Sequence, residues 1–157
     1  MKTLLLVRHA KTAPAGRDQS DHDRALEDRG VTDAGKLAHY LKKKGYCVDA
    51  MLVSSANRTQ TTAQILLTAL GDHPPEVFVS PDLYLAGDDR IWTAIQGADK
   101  AIDTLLIVGH NPGLENLSRR FLPELNKLHP GQMVSVRFNT DSWHSASELI
   151  TQDVKLV

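Results

Sequence analysis

The sequence predicts an α/β protein whose sheet is mostly parallel and covered by helices on both faces. Three observations carry that prediction. Short, nearly uninterrupted apolar runs recur along the 157 residues. Amphipathic helical patterns separate those runs. No repeat, low-complexity tract or linker divides the chain, so residues 1–157 are expected to form a single domain with a core of useful size.

The elements follow in order. "TLLLV" (3–7), "AMLVS" (50–54), "EVFVS" (76–80) and "TLLIVG" (104–109) read as strands, because runs this short and this apolar suit the interior of a parallel sheet. A later pair, 132–138 and 147–154, reads as edge strands or a hairpin. In the first of these Val134, Val136 and Phe138 alternate with polar residues, so one face is expected to meet solvent. Residues 32–44 place Ala34, Leu37, Ala38 and Leu41 on one helical face, and Gly45 is a natural stop. Residues 57–70 form a second helix with Asn57 as its cap. A third, 89–98, turns Ile91, Trp92 and Ile95 inward. A fourth, 111–122, has Asn111 as its cap and Pro112 at its first position. Trp92 and Trp143 read as packing residues. The longest irregular stretch, 10–30, follows the first strand, and loops of that length in compact domains usually carry function.

Composition excludes several roles. The chain is 41% apolar and 24% charged, which argues for a folded globule, and its net charge of −1 argues against bulk binding of nucleic acid or a membrane surface. Cys47 is the only cysteine, so neither an internal disulfide nor a cysteine metal site is expected. The opening "MKTLLLVRHA" is too short an apolar run for a signal peptide, and no stretch is long enough to span a bilayer. A cytoplasmic protein is the expectation.

The chemistry lies where strands end. The first strand runs into Arg8-His9, the second into "SSANRT" with Arg58 in the first turn of a helix, and the fourth into "VGHNPG" with His110. In a parallel sheet these carboxyl ends share one edge, which is where α/β proteins bind ligands. The 10–30 loop leaves the same edge and carries Arg24 in "SDHDRALEDRG", with Arg29 as an alternative. Two histidines and up to three arginines converging at one rim call for a dianion, since guanidinium forks match phosphate oxygens. An imidazole inside such a pocket is positioned to attack phosphorus. Neighbouring arginines disfavour the imidazolium, so His9 is expected to be neutral and nucleophilic, and no metal or cofactor is needed to supply positive charge. His22 lies between Asp21 and Asp23, but adjacent residues rarely bind one ion together, so no metal site is assigned there.

"LLLVRHAKT", "SDHDRALEDRGVTDAG", "SSANRTQTTA" and "TLLIVGHNPGL", in that order, resemble the motifs of the histidine phosphatase superfamily, and as a set those of its small SixA-type phosphohistidine phosphatases. The resemblance implies a three-layer α/β/α sandwich of phosphoglycerate-mutase-like type. It further implies a covalent phosphohistidine on His9 and phosphate-pocket roles for Arg8, Arg24, Arg58 and His110.

Two departures bear on the substrate. Larger members carry a glutamate general acid after the third strand; here that region reads "SPDLYLAGDDRIW", with Asp82, Asp88 and Asp89 but no glutamate. An alkoxide leaving group needs a proton in the transition state, whereas an imidazole leaving group is far less basic. The chain also lacks the long insertions that cap the site in larger members, and an open rim suits a protein substrate. The expected function is hydrolysis of phosphohistidine on a protein. The alternatives are a broad small-molecule phosphomonoesterase that uses one of those aspartates as acid, and a phosphate-binding module that does not turn over.

Overall fold

In a computed structural model that describes all 157 residues, six strands form one sheet: β1 (Lys2–Arg8), β2 (Ala50–Ser54), β3 (Glu76–Ser80), β4 (Thr104–Gly109), β5 (Met133–Phe138) and β6 (Thr151–Leu156). Their order is β3-β2-β4-β1-β5-β6. The first four are mutually parallel, while β5 runs antiparallel to both β1 and β6.

Helices α1 (Asp28–Lys44), α2 (Asn57–Leu67), α3 (Asp88–Gln96) and α4 (Gly113–Phe121) complete a three-layer α/β/α sandwich. Alternation along β1 shows how the layers are held. Leu4 and Leu6 point into one core with Ile91, Ile95, Leu114 and Leu117, from α3 and α4. Leu5 and Val7 point into the other with Leu37, Leu41, Ala63 and Leu66, from α1 and α2. All four β1 side chains are fully buried, each contributing about 1.5–3 kcal/mol of transfer free energy. No helix is long and apolar enough to cross a membrane.

Five expectations need correction. Helix α1 begins at Asp28 rather than 32, because its polar first turn docks on the loop: a Cβ on Gly30 would meet the Lys11 carbonyl oxygen at 2.1 Å. Helix α4 begins at Gly113, with Pro112 at the cap position; the Asn111 side chain binds Glu115 and the Leu128 carbonyl instead of capping. Likewise Ala56 precedes α2, and Asn57 lies inside it, reaching the Asp23 carbonyl. The last two strands pair antiparallel as the expected hairpin, with β6 at the edge and β5 interior. The alternation along β5 does not mark a wet face, since Ser135 is buried beneath Tyr46 and only Arg137 is exposed. The final strand starts at Thr151, after a 3-10 turn over Glu148–Ile150.

Trp92 packs against Phe121 and Phe138, and the buried Trp143 donates its indole N–H to the Ile102 carbonyl, so both tryptophans belong to the core. Lys2 was not legible as a core residue. It is 1% exposed, and its ammonium is bound by the carbonyls of Lys100 and Ile102 and by the Asp103 carboxylate.

Candidate active site

The parallel strands deliver His9, Arg58 and His110 to one sheet edge. His9 follows β1, Arg58 lies in the first turn of α2, and His110 follows β4. All three are buried, and the two imidazole centroids are 5.3 Å apart. Arg8, the last residue of β1, is anchored by an Nη1 hydrogen bond of 3.0 Å to the Leu128 carbonyl.

The orientation of His9 is fixed by its neighbour. Its Nδ1 lies 2.8 Å from the Ala10 carbonyl oxygen, which can only accept, so Nδ1 carries the proton and the lone pair falls on Nε2. The Ala10 N–H is held in turn by Thr62 Oγ1 of α2, which itself donates to the Arg58 carbonyl. Thr62 thus ties the end of β1 to the helix that presents Arg58. Burial, and then the charges of Arg58, Arg8 and Arg24, push the His9 pKa down to about 4, so the ring is neutral near pH 7.

His110 is also neutral. Burial, followed by Arg58 and His9, pushes its pKa down to about 3. Its Nε2 lies 2.7 Å from Ser54 Oγ, while the buried Nδ1 has no partner. The buried Nε atoms of Arg8 and Arg58 are also unpartnered. Such groups are uncommon in folded proteins, and three of them lie in the residues of this cluster.

Asp21, weighed from the sequence only as a metal ligand, joins this cluster through Arg58. The loop bearing it forms a 3-10 turn over Asp21–Asp23, capped by Ser20. Arg58 donates Nη1 to the Asp21 carbonyl at 2.7 Å and Nη2 to its carboxylate at 3.0 Å. The same carboxylate accepts from Tyr84 Oη at 2.5 Å and from Arg24 Nη1 at 3.1 Å. The Tyr84 hydroxyl, with Arg24 and Arg58, holds the Asp21 carboxyl well below the usual carboxylate range. Its side chain is occupied by cations and a phenol, and this accounts for "SDHD" without a metal. Tyr84 stands edge-on to both His110 and His22, and His22 Nε2 reaches Ser55 Oγ at 2.9 Å, so these two rings form the rim. The signal for Asp21 was its spacing from Arg24, one helical turn apart; that for Tyr84 was absent, since the contact depends on β3 returning beside β2.

Arg24 is bound within the loop, to Ala13, Asp21 and Thr12, and lies close enough to His9 to lower its pKa. The alternative, Arg29, is largely exposed and paired with Asp33. Glu115 of α4 braces Arg8 from behind: it accepts from the Leu128 N–H, Asn111 and Arg119, fixing the segment whose carbonyl holds Arg8. Of the possible acids, Asp88 and Asp89 are both ion-paired with Arg120. Asp82 lines a separate groove of about 670 Å³ between α3 and the β2–β3 edge.

Comparison with known proteins agrees with this construction. The sequence profile of the histidine phosphatase superfamily (branch 1) matches residues 4–84. An uncharacterised protein of Mycobacterium tuberculosis is 36% identical over 68% of this chain, which spans 63% of that relative's length. An uncharacterised protein of Mycobacterium leprae is 30% identical over 85% of this chain and 82% of its own. Among solved structures, a protein from Nakamurella multipartitia with the provisional name phosphohistidine phosphatase SixA superposes with a TM-score of 0.81 at 27% identity, covering 98% of this chain and 95% of its own. With its strand-end histidines and arginines in the family's order on a fold of the SixA type, the chain belongs to the histidine phosphatase superfamily.

Proposed function

We propose that the protein is a phosphatase that removes the phosphoryl group from phosphohistidine on another protein, through a covalent phosphohistidine on His9 and without a metal. The observation that carries this reading is the His9 Nδ1–Ala10 contact of 2.8 Å, which leaves the Nε2 lone pair free beside the arginines.

The steps balance without a general acid. Nε2 of His9 forms a bond to phosphorus as the substrate's phosphorus–nitrogen bond breaks. The substrate imidazole, protonated on its other nitrogen, departs neutral. Phospho-His9 keeps its Nδ1 proton and is a cation steadied by the Ala10 carbonyl. Water then attacks phosphorus, the bonding pair returns to Nε2, and the ring leaves neutral while a proton of the water goes to a phosphate oxygen. Arg8, Arg58 and His110 stabilise charge on the equatorial oxygens, and Arg24 adds charge from the loop. An alkyl ester would need an acid at the leaving oxygen, and Asp88 and Asp89 are committed to Arg120. We place this activity in the reducing cytoplasm, a compartment compatible with the exposed free thiol of Cys47.

The test is exposure to phosphoramidate, rapid alkaline quench and mass spectrometry of wild type beside His9→Ala. The expected result is a phosphoryl adduct on His9 in wild type only, with phosphate released in the absence of metal. Inertness of wild type towards phosphoramidate and towards phosphohistidine proteins would reject the proposal. Far faster turnover of sugar or nucleotide phosphates would assign it to small-molecule esters.

A further inference from the structure

A line of four rings runs from the nucleophile towards the surface. The centroids of His9 and His110 are 5.3 Å apart, those of His110 and Tyr84 5.5 Å, and those of Tyr84 and His22 4.9 Å. The last two pairs meet edge-on. His9 and His110 are buried, while Tyr84 and His22 are half-buried. Tyr84 also lies against a cation of the site, with Arg58 Cζ 5.9 Å from its ring centroid.

The Tyr84 ring is not part of either core. Leu83 and Ala86, in the same turn after β3, belong to the core beneath α3 and α4, whereas Tyr84 contributes to neither. That turn is pinned: the Tyr84 N–H donates to the Pro81 carbonyl at 3.1 Å and the Ala86 N–H to the Leu83 carbonyl at 3.3 Å. The phenol is pinned as well, donating to Asp21 at 2.5 Å, and the neighbouring His22 ring is held by Ser55. A flat carbon surface is therefore fixed beside the guanidinium and the imidazole assigned to the phosphoryl group, and core packing does not account for it.

We propose that Tyr84, with His22 as its buttress, is the subsite for a flat aromatic leaving group. The inference rests on the phosphatase reading of the site and deepens it. A phosphoryl group held by Arg58 and His110 carries its substituent within reach of the Tyr84 ring. An imidazole or phenyl ring there extends the line of rings by one more edge-on or offset contact. A sugar or glyceryl group is non-planar, and its hydroxyls would lose water against the ring without gaining a partner. The site thus selects its leaving group by shape and polarity as well as by basicity.

The experiment is calorimetric binding of phenylphosphonate and methylphosphonate to the full chain, at a pH where both are dianions. The two probes share the phosphonate group and differ only in the substituent. Neither reacts, so the ratio of their affinities reads the subsite apart from catalysis. A loss common to both probes, through Asp21 and Arg58, cancels in that ratio. Wild type is expected to bind the phenyl compound about 10-fold more tightly, the worth of one good aromatic contact. Tyr84→Phe keeps the ring without its hydroxyl and is expected to keep the ratio. Tyr84→Ala, folded by circular dichroism, is expected to bring it below about 3-fold. Nuclear Overhauser contacts between the Tyr84 ring protons and the bound phenyl group of wild type check the same contact without a variant. Wild type that binds both probes alike or neither, a ratio unmoved by Tyr84→Ala or lowered equally by Tyr84→Phe, or the absence of those contacts would overturn the proposal. A protein that prefers phenylphosphonate through Tyr84 yet never forms the His9 adduct would keep the subsite and lose the proposed catalysis.

Discussion

Ser54 Oγ lies 2.7 Å from Nε2 of His110, and the same hydroxyl oxygen receives the Ala56 N–H at 3.4 Å. The prediction is that the hydroxyl donates to Nε2, which leaves the proton of neutral His110 on the buried, unpartnered Nδ1. On that tautomer a residue of β2 sets His110 as a donor through Nδ1. Ser54→Ala is expected to lower kcat by roughly 3- to 10-fold, the worth of one net hydrogen bond at about 0.5–1.5 kcal/mol. The ¹⁵N shifts of His110 should report a loss of the Nδ1–H tautomer. Unchanged shifts would refute the assignment.

His9 and His110 should stay neutral well into acid. Their folded pKa values of about 4 and about 3 lie below the value near 6.5 of an unfolded histidine. The unfolded chain therefore takes up protons first as pH falls. Stability is full above about pH 6.5 and is lost progressively towards pH 4 and below, through these two groups. Imidazole NMR should show both rings neutral at pH 5.5. Replacing both by glutamine should flatten the acid limb of the denaturation midpoint between pH 6.5 and 4.

Asp21→Asn removes the carboxylate that collects Arg24, Arg58 and Tyr84. Its side chain is about half exposed, so screening limits the loss to about 1–2 kcal/mol. A fall of roughly 10-fold in kcat/KM is expected, with a thermal midpoint close to that of wild type. A large drop in that midpoint with normal kcat/KM would make Asp21 a residue of the fold alone.

Gly113→Ala should destabilise, because the added Cβ would meet the Ala86 carbonyl oxygen at 2.0 Å and a backbone atom cannot swing aside. Overpacking of this kind costs about 1–3 kcal/mol, measurable as a lower urea midpoint. The adjacent His110 would be displaced, so turnover should fall as well.

Lys2→Met would leave the carbonyls of Lys100 and Ile102 buried without their donor. A loss of about 1–3 kcal/mol in unfolding free energy is expected, since abandoned buried acceptors cost their full desolvation. Activity at the distant sheet edge should be unchanged.

What was legible in the sequence is what local pattern and topology determine. Uninterrupted apolar strands place Arg8-His9, Arg58 and His110 at a common edge, because parallel strands must share one. The boundaries that misled, at Asp28 and Gly113, are set by glycines that approach a backbone from elsewhere in the chain. The interior position of β5 was hidden because Ser135, polar by composition, is buried under a tyrosine from the end of α1. The site roles of Asp21 and Tyr84 were missed for a related reason: each matters through a partner more than thirty residues away. Lys2 looked like an ordinary polar terminus, and only the returning Lys100–Asp103 turn makes it a buried cation.

The anchored ring of His9 has a further consequence. Phosphohistidine exists as two regioisomers, and a ring whose Nδ1 is held by the Ala10 carbonyl can form only one of them on the enzyme. When the substrate is itself a phosphoimidazole, the first step exchanges one phosphorus–nitrogen bond for another of nearly equal energy. On the proposed chemistry that exchange is close to balanced and runs in both directions, and only the entry of water gives the cycle its direction. Isotope scrambling between free and phosphorylated substrate, ahead of net phosphate release, is the signature that this symmetry predicts.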